Sequence, residues 1–449
     1  MKFMKQALVV ISCVAALSSC IKVEFNEPTT PTTPPTTSTI IEGTIDKSMT
    51  ITKGKYTLKG YVYVNNGAIL TIEAGTVIMS DVTEKGALII ERGSKLIADG
   101  RADAPIIFTS GKASGQRAQG DWGGVILLGK APTNRPTSPA PIIEGGVNRP
   151  YGGTDPNDNS GILRFVRIEF SGIAAEPGSE INGLTCGGVG AGTVLENIQV
   201  SYGADDAYEF FGGTVNAKNL ISFAAFDDDY DFDFGYGGKI QFAVSLRDKP
   251  ADTDQANGIE CDNDGTGTTA APLTKPQLSN LTLIGPYDTT GSASTHGFSN
   301  RWRRSTQFVL RNSIMMGHRK AGFSLESAGT ATDYKNGASE FKNNIVAVYV
   351  KPYTSSDAGA AGVITDAEIK AKAESEGCTT LASRDDVQLI DPFNLNAPNF
   401  LPKAGSPALT GVSFTGMDSW FTATTYRGAF GTNNWMAGWS NFTPKTNNY

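Results

Sequence analysis

Eight carboxylates and one lysine lie between Asp205 and Asp233, written as two similar phrases, ADDAYEFFGG (204–213) and FDDDYDFDFG (226–235). Acids at this density suggest two kinds of chemistry. A hydrolase needs two carboxyl groups about 5 to 9 Å apart across a cleft, and Asp205, Asp206, Asp228 and Asp229 are the candidates. A lyase needs a hard cation to hold an acidic sugar and a basic residue to take the proton, for which Arg304 or Lys320 would serve. The chain has two histidines, His296 and His318. His296 occupies the position held by Asp206, Asp228 and Asn257 in neighbouring phrases, a place that closes a turn.

The elements that carry these acids follow from repetition. NGLTC (182), DAYEF (206), DYDF (229), NGIEC (257), HGFSN (296) and AGFSL (321) repeat one short phrase. With Leu184, Tyr208, Tyr230, Ile259, Phe298 and Phe323 as equivalents, the spacings are 24, 22, 29, 39 and 25 residues. A fixed phrase at variable spacing is a constant strand with loops of changing length, the mark of a solenoid whose coils bury their apolar faces on one another. TIEAGTVI (71–78) and IIERGSKL (89–96) align at an offset of eighteen in the same sense. An antiparallel sandwich would also alternate, but it does not explain the near-constant coil length. The predicted fold is all-β: a single right-handed parallel β-helix over residues 40–449, with loop insertions, one short helix near 364–377 and a closing C-terminal segment. That helix is marked by Thr365 as N-cap, Glu368 three residues on and Gly377 as stop.

Alternation then assigns faces. Tyr230, Phe232 and Phe234 share the inner face, and Asp231 and Asp233 point outward. Stacking the coils puts Glu209, Asp231 and Glu260 in one outward row, continued by Ser299 and Ser324. A second row holds Phe211, Asp233, Asp262, Arg301 and Glu326. Adjacent coils lie about 4.8 Å apart, where like charges repel by about 1 kcal/mol in water and more where water is excluded. One reading is a hard cation, Ca²⁺ before others, held by Glu209, Asp231, Asp233, Glu260 and Asp262 with Asp205, Asp227 and Asp229 at the coil entrance. The other is a solvated acidic face. Phe211, Trp302 and Phe226 are expected to point outward beside the acids, with Arg301 and Arg303, as a ligand-holding patch. Cys186 and Cys261 fall three coils apart, about 14 Å, and are expected to be free buried thiols.

The N-terminus carries its own message. Lys2 and Lys5, the apolar run 7–17 and LSSC read as a signal peptide over 1–19 that ends at Cys20. The run is too short to span a bilayer. Residues 20–39 then comprise the cysteine and a Pro/Thr tract that behaves as a stiff spacer. The formal net charge of −7 and the absence of a basic stripe argue against nucleic acid as a partner. Asp288-Thr289-Thr290 matches a short glycan-acceptor pattern.

GDWGGVILLGKAP (120–132), the two acidic phrases and YRGAFGTNNWMAGWSNF (426–442) together resemble the right-handed parallel β-helix lipoproteins of Bacteroidetes-type bacteria. The resemblance implies a pectate-lyase-like helix on an outer-membrane lipoprotein, periplasmic or surface-facing, lipidated at Cys20 and held to the membrane by that anchor. It implies no fixed activity. Fold alone warrants no chemistry, so the expected role is a binding or accessory protein for a glycan, a cation or an outer-membrane transporter. A polysaccharide lyase or glycoside hydrolase is the alternative, and a structural surface protein the third.

Overall fold

A computed structural model describes residues 39–176, 179–253, 255–287 and 290–449. The predicted signal peptide, Cys20, all of the spacer but its last residue, and Asp288-Thr289 lie outside the described residues. The chain forms a right-handed parallel β-helix: among the described residues, 27 strands are joined into one continuous wound sheet. Each full coil contributes to three faces. The first face stacks, among others, Val125–Leu128, Leu184–Gly187, Tyr208–Phe211, Tyr230–Asp233, Ile259–Cys261, Phe298–Trp302, Ala321–Leu325 and Lys351–Ser355. Strands such as Val194–Ser201 and Asn216–Phe223 run through the corner between the second and third faces.

That corner has a chemical signature. Asn197, Asn219, Asn280, Asn312 and Asn343 all stand there with φ between 54° and 60°. Asparagine tolerates the left-handed region better than other non-glycine residues, so the chain turns at the same point coil after coil. Inside, like residues stack on like: Tyr208 on Tyr230 at 5.3 Å and Phe210 on Phe232 at 5.4 Å. The buried phenols are satisfied at the corner, Tyr208 donating to the Ile198 carbonyl at 2.8 Å and Tyr230 to that of Val244 at 2.8 Å. Cys186 and Cys261 occupy the same inward position, linked through Phe210 and Phe232, and both are free and buried.

The predicted helix is Asp366–Ser375, with the Thr365/Glu368 capping box in place. With Ala328–Asn336, whose sequence AGTATDYKN has no clear apolar period, it packs on the core beyond the last coils through Ile369, Ala373, Ala331 and Tyr334. The C-terminal segment runs along the third face. Phe442 meets Phe223 edge-on at 5.1 Å, while Gln199 and Gln241 exchange paired hydrogen bonds with the backbone of Asn441 and Thr422.

Two register expectations are corrected. The eighteen-residue alignment of 71–78 with 89–96 is not a stack: Tyr63 pairs with Ile89 and Ile72 with Ala98, offsets of 26. Both segments are strand–turn–strand corners, about two-thirds of a coil apart along the chain at eighteen residues in a coil of 26, and they resemble each other for that reason. Further on, Glu260 pairs with Arg301 and Cys261 with Trp302, so Asn300, not Phe298, follows Ile259 in the stack. Phe298 instead pairs with Ala321. A slip of two residues keeps every side chain on its predicted face, and alternation alone cannot detect it.

Candidate functional site

The turns that enter the first face carry Asp205, Asp206, Asp227 and Asp228, and the strands after them carry Glu209, Asp231 and Glu260. The outward row runs Thr185, Glu209, Asp231, Glu260, Arg301, Ser324 and Thr354. Arg301 thus stands in the first row where Ser299 was expected. Asp233 follows Phe211 in the second row as predicted.

Two of the turn acids also hold the coils together. Asp206 Oδ1 accepts the N–H of Asp228 at 2.8 Å, Asp228 Oδ1 accepts that of Asn257, and Asn257 Oδ1 accepts that of Phe298 at 3.0 Å. This ladder explains why acids or amides recur there. His296 falls outside it, correcting its expected equivalence with Asp206, Asp228 and Asn257: it bridges to Ala256, one residue before Asn257, and the next N–H in the ladder is that of Phe298. The His296 ring lies against the Lys249 carbonyl and Arg247, and burial draws its pKa down to about 3. His318 Nδ1 meets Ser299 Oγ at 2.7 Å, buried. Neither histidine lines the acidic pocket described next.

That pocket holds about 310 Å³ and is lined by Asp206, Asp227, Asp228, Asp231, Glu260 and the arginines Arg301 and Arg303, with Gln255. Three overlapping triads, Asp205–Asp206–Asp227, Asp206–Glu209–Asp231 and Asp228–Asp231–Glu260, each bring their oxygens within 4.8 Å of one another. Asp206 and Asp231 belong to two triads each. Burial first, and then the neighbouring carboxylates, push Asp206, Glu209 and Asp231 well above the ordinary range and Asp205 up to about 8.

Compensation is uneven along the row. At one end Arg301 binds Glu260 at 2.9 Å and Glu326 at 2.8 Å, and Arg303 binds Asp262 at 2.7 Å as well as Glu260. Arg304 joins Asp262 at 2.7 Å. At the other end, around Asp206, Glu209 and Asp231, the described side chains offer oxygens instead of cations. The buried Asn182 and Thr185 sit beside Glu209, Asn182 donating its amide to that carboxylate and Thr185 pairing with it in register. Asn182 Oδ1, Thr185 Oγ1, Asp227 Oδ1 and Asp231 Oδ1 have no hydrogen-bond partner. Carboxylate oxygens within 4.8 Å of one another, with unpartnered carboxylate, amide and hydroxyl oxygens on the same stretch of the face, are the donor types that a hard cation such as Ca²⁺ takes.

Several sequence candidates fall elsewhere. Asp229 is fully buried and held by Arg247 at 3.1 Å and Ser222 Oγ at 2.6 Å, so it neither ligates nor pairs catalytically with Asp228 in this pocket. It sits in a turn, where strand alternation does not govern direction. Asp262 is taken by two arginines, and Asp233 accepts the N–H of Phe234 at 2.6 Å; both lie outside the triads. Phe211 does point outward, but Tyr151 and Phe234 cover it, at 6.1 and 5.9 Å. Trp302 turns inward with no exposure and stacks on Phe308 at 4.1 Å. Phe226 is half-buried. The expected aromatic platform is therefore absent from the described residues, while Arg301 and Arg303 remain at the pocket.

Sequence reasoning missed Asn182, Thr185 and Glu144. Asn182 was legible, because it precedes Leu184 as Asp206 precedes Tyr208. Glu144 was not: a loop inserted after the 125–128 strand delivers it to Glu209 and Asn182, where burial raises it to about 7.

The family described as a pectate-lyase like beta helix domain matches residues 43–387. Among solved structures, a crystal structure of pectate lyase Pel9A is similar at 12% identity, over 86% of this chain and 87% of that one, with a TM-score of 0.30. No curated protein matches.

Proposed function

The chain belongs to the pectate-lyase-like β-helix family, and from that premise we propose that it is a cation-loaded binding protein of the cell envelope, anchored through Cys20 as an outer-membrane lipoprotein of the Bacteroidetes type. Ca²⁺ at Asp206, Glu209 and Asp231, completed by Asn182 and Thr185, is the group this reading assigns to that end of the acidic row, where Asp206 and Asp231 border the pocket. The observation that carries it is the end of the acidic row farthest from the arginines: carboxylate oxygens within 4.8 Å of one another, with partnerless oxygens on Asp231 and on the neighbouring Asn182 and Thr185. A bound cation would turn that end from repelling anions to receiving them, and an extracellular glycan or a transporter loop are the partners it fits.

Binding is favoured over cleavage because the site's basic groups are committed. Burial aside, Glu260 and Asp262 hold Arg303 above its ordinary range and Glu326 and Glu260 do the same for Arg301, so neither gives a neutral base. Cleavage of an acidic polysaccharide is the second reading, favoured by the carboxylate–cation arrangement and by family membership. The test is a titration of the protein with CaCl₂ and MgCl₂, followed by glycan-array binding in calcium and in chelator, with depolymerisation of each bound polysaccharide assayed alongside. Calcium-dependent retention without chain cleavage is expected. Cleavage would move the protein to the second reading, and no calcium uptake by calorimetry would remove the cation.

A further inference from the structure

Away from the acidic row, on the second face just before the asparagine corner, the C-terminal segment crosses the coils and leaves a recess. It holds about 250 Å³, and Thr193, Glu196, Asn216, Lys218 and Trp420 are among the residues that line it. We infer that this recess binds a neutral pyranose ring of a glycan.

A ladder of ion pairs breaks at this place. Asp99, Arg164, Glu196 and Lys218 follow one another in register, one per coil. Arg164 binds Asp99 at 2.8 Å and Glu196 at 3.0 Å. Among the described residues no ion pair continues from Glu196 to Lys218, although the two are opposite charges on adjacent coils. Lys218 turns instead to the C-terminal segment, donating to the Trp420 carbonyl at 3.3 Å and to Thr422 Oγ1 at 2.9 Å, with its ammonium 4.5 Å from the centre of the Trp420 ring.

The gap keeps bonding capacity of both kinds. Glu196 accepts from Arg164 through Oε2, which leaves Oε1 open. Asn216 uses Oδ1 to accept the N–H of Lys239 at 2.9 Å, which leaves its amide donors open. An occupant must therefore donate to a carboxylate and accept from an amide, and neighbouring hydroxyls do both. The four charges of the ladder sum to zero, so a charged ligand would find no spare counter-charge there, whereas a neutral one needs none.

Trp420 adds an apolar wall, and its position is fixed. Asp418 pairs with Lys239 at 3.3 Å and accepts the Trp420 N–H at 2.8 Å, while Thr422 exchanges paired hydrogen bonds with Gln241. A half-buried indole held on both sides is a preorganised surface for the C–H groups of a sugar ring. None of the acids in the triads lines this recess, so the inference goes beyond the calcium reading and does not depend on it.

The experiment is saturation-transfer NMR of the protein in chelator with the methyl glycosides of glucose, galactose, mannose and xylose. Glucuronate and glucosamine serve as charged controls and glycerol as a hydroxyl control. At least one methyl glycoside is expected to bind with a Kd on the order of 1 mM, at least about tenfold tighter than any control. Asn216→Asp keeps the acceptor for the Lys239 N–H and deletes the open donors, so it should weaken the glycoside by about tenfold at an unchanged melting temperature. Trp420→Ala should abolish binding and Trp420→Phe, which keeps a ring, should retain it. Silence from all four glycosides, or binding unchanged in both Asn216→Asp and Trp420→Ala, overturns the site. Equal binding of glucuronate or glucosamine overturns the neutral assignment, and equal binding of glycerol overturns the pyranose. Loss of the glycoside in Asp206→Asn would move it to the acidic row and overturn the site as well. Calcium uptake at the triads, read in a separate titration without chelator, keeps the two readings apart.

Discussion

Arg247 and Asp229 form an ion pair at 3.1 Å with neither side chain exposed. The same guanidinium donates to the carbonyls of Asn257 at 2.7 Å and Asp227 at 2.5 Å, so one buried cation ties two successive turns of the acidic ladder together. Removing one member of a buried pair leaves the other charge stranded, at a cost of about 3 to 5 kcal/mol. Arg247→Met is therefore expected to lower the unfolding free energy read from urea denaturation by that amount, and to loosen protease resistance around 225–229 before the rest of the chain. A variant as stable as the parent would show that the pair contributes nothing.

The inner stack makes a second, independent demand. Phe210 lies between Cys186 and Phe232 in the register and against Tyr236 at 4.8 Å, with no exposure. Phe210→Ala opens a cavity in three coils at once and is expected to cost about 3 to 5 kcal/mol. Calorimetric melting checks this; a loss under about 1 kcal/mol would mean that the coils collapse onto the gap.

The two stacked cysteines give a chemical check on the register. Cys186 and Cys261 are buried and their thiols pushed up by burial. Ellman's reagent is expected to find them silent in the native protein and reactive after denaturation without reductant. An intact bridge between 186 and 261 in a peptide map would break the three-coil separation.

Acidity tests the cation site through linkage. Glu144 and Asp205 are raised to about 7 and about 8 in the folded protein, chiefly by burial, against ordinary carboxyl values near 4 in the unfolded chain. Between about pH 4 and pH 8 the folded state therefore holds more protons than the unfolded state. Its stability falls as pH rises through that window, by up to about 1.4 kcal/mol per unit for each group. Without divalent cations the melting temperature is expected to drop from pH 5 to pH 8. Saturating calcium, which binds the deprotonated carboxylates, is expected to abolish the drop. A flat profile in chelator would mean that water and counter-ions already neutralise the cluster.

The sequence made the coil legible wherever chemistry repeats at one position. Tyr208 and Tyr230 face inward and Asp231 outward because a strand has period two and the apolar side must be covered. Legibility ended at turns and insertions. Asp229 looked like its neighbours, yet a turn directs it to Arg247, and no local pattern announces a partner eighteen residues away. Trp302 was expected outward although it follows the outward-facing Arg301 in one strand, where alternation itself turns it inward. Glu144 arrives on a loop from another coil, a long-range contact with no trace in the residues around it.

Asp206 separates charge from scaffolding. Its Oδ1 accepts the Asp228 N–H, and an asparagine in its place keeps an acceptor there while deleting the charge shared by two triads. Asp206→Asn should therefore leave the coil ladder intact and relieve repulsion from Asp205, Asp227, Asp228 and Asp231, the neighbours that push its pKa up beyond the effect of burial. The variant is expected to melt higher than the parent in chelator. In calcium the order should reverse, because the parent gains binding energy that the variant has lost, and affinity should fall by at least about tenfold for one charged ligand removed. Asp206→Ala is the contrast: it loses the acceptor too, strands the Asp228 N–H and should be less stable than Asp206→Asn under both conditions by about 1 to 3 kcal/mol. If Asp206→Asn melts lower than the parent in chelator, the carboxylates do not repel one another as their spacing requires, and the cation loses its reason to bind.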